Sequence, residues 1–226
     1  MFKTFYLKAA AVAAMGLAIT SVGAADVALV TALQGKVVIV GSGGASTDAS
    51  PFVRLSDGAT LRVGSGARVQ VTYFDNGRQE SWPENTQFKV EGRKGVSVRG
   101  QPANVRTLPQ MVLTQLRDSP VAGESGRVGA VRVRAVESVD NLLSPMRRQE
   151  IENNYTQLRA GANGEVMPEV YRLTAYFKAG AYADVRQLTQ ALRDTQGANP
   201  DFVALAQRFD DAVQQATADQ PKDRPQ

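Results

Sequence analysis

The stretch TYFDNGRQESWPENTQFKV, residues 72–90, contains the pattern that decides the fold of the first half of the chain. Apolar and polar side chains alternate before Asp75-Asn76-Gly77, and this period of two is that of a β-strand. Asp, Asn and Gly tolerate the positive φ that a tight hairpin turn needs. Trp82-Pro83 ends the returning strand, because proline has no N–H to donate to a neighbouring strand. The stretch therefore predicts an antiparallel hairpin and a turn into a third strand.

The same alternation extends on both sides of this hairpin, from Val27 to about Val98. Short segments of period two are separated by glycine-rich turns, and strands so closely spaced leave no room for crossover helices. The predicted strands are residues 27–30, 36–40, 52–55, 60–63, 68–74, 78–82, 87–90 and 96–98. We therefore predict an antiparallel all-β domain: a sandwich, a roll or a small barrel.

The segments between and after these strands are less regular. Residues 41–44 are rich in glycine and lead into a polar stretch at 45–50, which predicts a flexible loop rather than a phosphate site, because no helix follows. The composition of residues 101–106 is that of a connector. Residues 109–118 fit a short amphipathic helix, and residues 128–136 alternate again as a final strand.

Beyond residue 136 the period changes to about 3.6, the period of an α-helix. Ser144 is a typical N-cap and is followed by Pro145 at the first helical position, and Gly161 ends this helix. Three more helices are predicted at 168–178, 182–195 and 200–216. The fold class is therefore α+β, with the all-β domain followed by a small C-terminal helical hairpin or bundle.

The first 25 residues have the features of a secretory signal peptide. Lys3 and Lys8 precede a short apolar run at 9–19, and small residues follow, ending at Ala24 and Ala25. The run is shorter than the roughly 20 apolar residues of a spanning helix. We expect cleavage after Ala24 or Ala25, a periplasmic or secreted protein, and no stable membrane span after cleavage. The predicted organisation is signal peptide 1–25, β domain 26–136, helical region 137–218 and disordered tail 219–226.

The residue types present restrict the possible chemistry. The chain has no His and no Cys, which excludes a Ser-His-Asp triad, a thiol nucleophile and metal sites built from imidazole or thiolate. A pair of carboxylates, as in glycoside hydrolysis, remains possible. Asp57 and Asp75 lie next to turn glycines, whereas Glu80 and Glu84 flank Trp82. We expect no enzyme and no cofactor, with a carboxylate-based glycosidase as the least favoured alternative.

A local pattern in the helical region resembles a tetratricopeptide repeat. In YFKAGAYADV, residues 176–185, an aromatic residue, three residues, a glycine, one residue and a second aromatic residue follow in order. Val185 departs from the pattern, because a small alanine is usual there. About three repeats are needed for independent stability, and at most one is present. The helices must therefore bury their apolar stripe against the β domain or a partner.

The β half, about residues 27–98, resembles the FecR-type domain, the periplasmic module of the ferric-citrate regulator family. The matching motifs are LQGKV at 33–37, LxxGxxLxxG at 55–64, ARVxVxYFDNG at 67–77 and WPENT at 82–86. Ser65 departs from the usual acidic residue, and Trp82 stands where an aliphatic residue is common. Regulators of this family also span the inner membrane and control a sigma factor, and we expect neither property here. The resemblance implies the fold of the domain and a non-catalytic binding role in the periplasm.

Together these patterns predict a non-enzymatic envelope protein with a binding scaffold and a helical protein-interaction region. The predicted binding residues are Tyr73, Trp82 and Glu84 on the hairpin, and Tyr176 and Tyr182 in the helical groove. The expected partner is an envelope protein or a cell-wall polymer. No metal site is expected, and no nucleic-acid binding, because the basic residues lack interleaved aromatics.

The alternative is a protein that binds cell-wall polysaccharide or peptidoglycan. In this interpretation Trp82 stacks on a sugar ring, and the arginines of residues 127–134 bind acidic groups. Both interpretations place the hairpin around Trp82 at the protein surface.

Overall fold

The computed structural model describes residues 25–41, 43–122, 143–162 and 164–218. The strands are β1 (Asp26–Gln34), β2 (Val37–Val40), β3 (Ser46–Asp48), β4 (Arg54–Ser56), β5 (Thr60–Val63), β6 (Arg68–Tyr73), β7 (Arg78–Trp82), β8 (Gln87–Glu91), β9 (Lys94–Arg99) and β10 (Asn104–Thr107). The helices are α1 (Gln110–Asp118), α2 (Pro145–Ala160), α3 (Met167–Lys178), α4 (Tyr182–Gln196) and α5 (Pro200–Ala218), and a 3-10 turn at Pro120–Ala122 follows α1. The signal peptide, the predicted strand at 128–136 and the tail at 219–226 lie outside the described residues.

The ten strands form two antiparallel sheets. Sheet A has the order β10-β7-β6-β1-β4, and sheet B has the order β3-β2-β5-β8-β9. Apolar side chains from both sheets, including Val71 and Trp82 from sheet A and Leu61 and Phe88 from sheet B, share one core. The α+β prediction is confirmed, and of the three predicted β architectures the arrangement is that of a sandwich.

The hairpin quoted above is present as β6 and β7. Val71 pairs with Glu80 and Val69 pairs with Trp82 across it, and Gly77 has the expected positive φ of 67°. Val69, Val71 and Tyr73 all point into the core, as the alternation predicts. Register in this hairpin therefore follows the hydrophobic pattern.

Two strands form where the sequence predicts none. Residues 46–48, in the predicted loop, pair with β2 as β3, and residues 104–107, in the predicted connector, pair with β7 as β10. Both are edge strands and carry mostly exposed polar side chains. Their pairing is dictated by the neighbouring strand rather than by their own composition, so the period-two signal is absent.

The helices agree closely with the predicted ones. The Ser144 hydroxyl accepts a hydrogen bond from the Arg147 N–H at 3.2 Å, as an N-cap should, and Gly161 is the C-cap of α2. The helix predicted at 109–118 is α1, whose Val112, Leu113 and Leu116 are buried. In α2 the cap residues thus mark both ends of the helix, whereas α1, α3 and α4 begin without a side-chain cap.

The helical region packs on the outer face of sheet A through a second apolar core. This core combines Leu29 of β1, Phe52 and Leu108 with side chains of all five helices. The same face of sheet A also buries polar side chains: the Gln79 amide donates to the Thr72 hydroxyl at 3.1 Å and accepts from the Arg106 guanidinium at 2.6 Å. Apolar packing thus fixes the helices to the sandwich, and hydrogen bonds within sheet A satisfy the polar groups that the helices cover.

A carboxylate at the start of α5 joins the two regions directly. Asp201 is buried, and its Oδ1 accepts a hydrogen bond from the backbone N–H of Leu33 at 3.0 Å. Strand β4 pairs with β1 only as far as Leu29, so at Leu33 this carboxylate takes the place of a strand neighbour. Burial raises the pKa of Asp201, while the hydrogen bond from Leu33 opposes that rise.

We expect Asp201→Ala to lower the free energy of unfolding by about 1 to 3 kcal/mol, because the Leu33 N–H loses its acceptor. Asp201→Asn keeps an acceptor oxygen and should cost less. Because the folded-state pKa is raised, the contribution of Asp201 to stability falls as pH rises above its ordinary value of 3.8. The asparagine variant should lack this part of the pH dependence in urea unfolding, and equal losses for alanine and asparagine would contradict the role of the hydrogen bond.

Candidate functional site

The binding residues predicted on the hairpin lie inside the sandwich. Tyr73 and Trp82 are both 0% exposed. The indole ring of Trp82 stacks on Phe88 with ring centroids 4.1 Å apart and planes 9° apart. The expectation of an exposed binding face around these two side chains is therefore wrong. Trp82 is opposite Val69 in the β6–β7 ladder, and a side chain opposite an inward valine also points inward.

The indole N–H of Trp82 is bound by Glu80, which is itself 0% exposed. Glu80 Oε2 accepts from Trp82 Nε1 at 3.0 Å, from the Gly95 N–H at 3.0 Å and from the Tyr73 hydroxyl at 3.4 Å. Its Oε1 accepts from Arg78 Nε at 2.5 Å. Burial and the nearby Glu80 carboxylate raise the pKa of Tyr73. A carboxylate so enclosed holds the two sheets together and has no path to a substrate.

Glu84, the third residue predicted on the hairpin, is exposed and has a local role. Its Oε2 accepts from the backbone N–H of Gly66 at 2.5 Å, which ties the turn after β7 to the turn before β6. Asn85 beside it has a positive φ of 59°. The other acidic candidates are also in turns: Asp57 accepts from the Gly92 N–H at 2.8 Å, and Asp75 pairs with Arg93. The side chains near Trp82 thus stabilise turns and the core.

In the helical region, Tyr176 is buried and its hydroxyl is engaged. The hydroxyl donates to Glu152 Oε1 at 2.7 Å, and the guanidinium of Arg148 lies 5.2 Å from the ring centroid. Arg148 also binds both carboxylate oxygens of Asp184, at 2.8 and 3.0 Å. Burial and the hydrogen bond to Glu152 raise the pKa of Tyr176. This network joins α2, α3 and α4.

Tyr182 is half-buried and lies against Phe177, with ring centroids 5.4 Å apart. Burial raises its pKa. Tyr182 therefore packs between α3 and α4, whereas the hydroxyl of Tyr176 is bound to α2.

Helix α3 has no free face, because α1, α2, α4 and α5 all contact it. Its residues from Met167 to Phe177 are buried with the exception of Arg172. Even Glu169 is buried: its Oε1 accepts from the Tyr155 hydroxyl at 3.2 Å, and its Oε2 has no partner among the described residues. Burial raises the pKa of Glu169. Any contact surface in the helical region must therefore lie on the outer helices.

Such a surface is present where α4 and α5 pack together. A shallow, polar groove of about 410 Å³ runs between them, and its lining residues are Arg186, Thr189, Gln190, Arg193, Asp210, Gln214 and Thr217. Its floor is ordered by Asp210, which accepts from the Thr189 hydroxyl at 2.7 Å and pairs with Arg193. We call this the α4–α5 groove.

Some side chains that line the α4–α5 groove have a charge or hydrogen-bond donors that are not used within the protein. Arg186 is exposed and has no ion-pair partner among the residues that the structure describes. Together with the amide of Gln214 it offers several hydrogen-bond donors and one positive charge, whereas the amide of Gln190 already donates to Asp194 at 2.9 Å. The groove can therefore hold a polar segment that carries an acidic group.

None of these groove residues was predicted from the sequence. The positions 186, 190 and 193 on α4, and 210, 214 and 217 on α5, recur at helical spacing, but polar residues at that spacing also describe any solvated helix face. Only the packing of α4 on α5 identifies the groove.

Within the described part of the chain, no three acidic, His or Cys side chains lie close enough to hold a metal ion. None of the described helices is both long and apolar enough to cross a membrane.

Comparison with known proteins gave no match: no family model, no curated protein and no solved structure is similar to this chain.

Proposed function

We propose that the chain is a non-catalytic, exported envelope protein whose sandwich is a scaffold and whose α4–α5 groove contacts a protein partner. The observation that carries the proposal is the position of this groove. It is an open polar groove on two helices, and these helices belong to the apolar core that also includes sheet A. A surface on helices that are held in this way is preorganised, which lowers the entropic cost of binding.

The export part of the proposal rests on the signal-like residues 1–25 and the likeness of the β half to FecR-type domains. Strand β1 begins at Asp26, next to the predicted cleavage sites, so removal of the preceding residues leaves all of the described strands in the chain. Cell fractionation and N-terminal sequencing test this part. We expect an envelope protein that starts at Ala25 or Asp26; an unprocessed cytosolic protein would contradict it.

The carbohydrate alternative loses its main support. With Trp82 stacked on Phe88 in the core, there is no aromatic platform at that position for a sugar ring. The arginines of residues 127–134 lie outside the described residues. A glycosidase based on Glu80 is likewise not proposed, because Glu80 is fully enclosed.

Photo-crosslinking in living cells tests the protein contact. A photoreactive residue is placed at Gln190 or Gln214 in the groove, and, as the matched control, at Gln157 on the exposed side of α2. We expect a discrete protein adduct from the two groove positions and none from Gln157. Arg186→Glu, which reverses the charge of the groove wall, should reduce the adduct several-fold. Equal adducts at all three positions, or none in the groove, would contradict the proposal.

A further inference from the structure

The outer face of sheet B is distinct from the α4–α5 groove. In β5 and β8 the side chains of Leu61, Val63, Phe88 and Val90 point into the core, so the alternating residues point outward. The described helices pack on the opposite side of the sandwich, against sheet A. Among the described elements, none covers the outer face of sheet B.

The strand register gathers positive charge on this face. Arg62 of β5 is opposite Gln87 of β8, and Gln87 is opposite Arg99 of β9. The two arginines therefore lie two strands apart, with Cα atoms about 10 Å from each other. Lys89 follows Gln87 by two residues on β8, so its side chain points outward on the same face. We call Arg62, Lys89 and Arg99 the cationic cluster.

The balance of charge on the face is positive. Lys94 is a fourth outward cation, because it lies opposite Glu91 in the β8–β9 ladder. Glu91 pairs with Lys89 at 3.3 Å. Asp48 of β3 is opposite Val38, which is opposite Arg62, so it lies two strands from Arg62. The four cations outnumber these two carboxylates. Neither Arg62 nor Arg99 has an acidic partner within 4 Å among the described residues.

Valines lie between these charges. Val38 is opposite Arg62, and Val96 is opposite Lys89. Val40 is opposite Thr60, which is the neighbour of Lys89 on its other side. All three are half-buried, and Val98 on the edge strand is 61% exposed. Apolar side chains interspersed with Lys and Arg on a flat surface match the headgroup region of an anionic bilayer, which attracts the cations and accepts the apolar groups.

We propose that the outer face of sheet B docks the protein on an anionic phospholipid surface. A second copy of the chain is a poor occupant, because two such faces would meet with like charges opposite each other. Docking in this orientation directs the helices and the α4–α5 groove away from the membrane, since they lie on the other side of the sandwich.

Co-sedimentation with vesicles tests the docking. The purified protein is mixed with vesicles of phosphatidylcholine alone or of phosphatidylcholine with phosphatidylglycerol, at low and high salt. We expect binding to the anionic vesicles only, weakened by salt. Arg62→Gln/Arg99→Gln should weaken binding on the order of twenty-fold, because each cation near an anionic surface contributes about five-fold. The control Arg147→Gln/Arg208→Gln removes the same charge from the helical region and should bind as the wild type does.

The outcomes separate the possible occupants. Thermal melts of both double variants establish that each is folded. An equal loss in the control, or no sedimentation of the wild type with anionic vesicles, would overturn the proposal. Binding to soluble polyglutamate that is lost with Arg62 and Arg99, without binding to vesicles, would also overturn it and would identify an acidic polypeptide as the occupant.

Discussion

Replacing Glu80 by alanine is expected to lower the free energy of unfolding by about 3 to 5 kcal/mol, one of the two largest effects that we predict for a single substitution. The buried indole N–H of Trp82 and the partly buried N–H of Gly95 both donate to Glu80 Oε2, and without it both lose this acceptor. The space it occupies would also become a cavity beside Trp82. Urea unfolding followed by the fluorescence of Trp82 measures the loss.

Two comparisons make the Glu80 result specific. Glu91→Ala removes a carboxylate whose ion pair with Lys89 is about half exposed, and such pairs contribute about 0 to 1 kcal/mol. Glu80→Gln keeps one acceptor oxygen and should lie between the alanine variant and the wild type. A Glu80→Ala protein as stable as Glu91→Ala would mean that the buried network contributes little.

Phe202→Ala is expected to cost about 3 to 5 kcal/mol, as large-to-small changes of buried aromatics do. Phe202 of α5 is 1% exposed and belongs to the core shared by the helices and sheet A. The guanidinium of Arg159 from α2 also lies 5.8 Å from its ring centroid. The loss of stability should therefore appear with both probes of unfolding. One is circular dichroism at 222 nm, a conventional wavelength for helix, and the other is the fluorescence of Trp82.

The adjacent residue provides the control for Phe202. Val203 is 39% exposed, so Val203→Ala should change stability by less than about 1 kcal/mol. If Phe202→Ala melted the helices and left the Trp82 signal unchanged, the two regions would not share a core.

The sequence predicts most of the fold because its signals are local. Alternation through Val69, Val71 and Tyr73 identifies a strand and its inner face, and Ser144 and Gly161 mark the ends of α2. The edge strands β3 and β10 escape prediction because they form by pairing with a neighbour and bury little of their own surface. Thr72 and Gln79 point away from the sandwich core and yet are buried, since the helical region covers that face.

The candidate sites could not be predicted in the same way. In β7 one face carries Glu80 and Trp82 and the other carries Gln79 and Ser81, so composition alone does not decide which face is inside. An aromatic residue beside a carboxylate suggests a sugar site in sequence, but here the pair is the centre of a buried network. The α4–α5 groove and the cationic cluster depend on which helices and strands are neighbours, which is a property of the tertiary fold.

The proposals assign different roles to opposite sides of the molecule. The cationic cluster lies on sheet B and the α4–α5 groove lies in the helical region packed on sheet A. This arrangement requires that the helices keep a fixed position on the sandwich. The shared core around Phe202 and the hydrogen bond from Leu33 to Asp201 provide that attachment.

Equilibrium unfolding in urea with two probes tests this attachment directly. Trp82 is the single tryptophan in the chain and lies in the sandwich core, so its fluorescence reports on the sheets, while circular dichroism at 222 nm reports mainly on the helices. If the helices are part of the same cooperative unit, the two signals should change in one transition with the same midpoint. Helices that unfold at a lower urea concentration, before the fluorescence of Trp82 changes, would contradict the shared core.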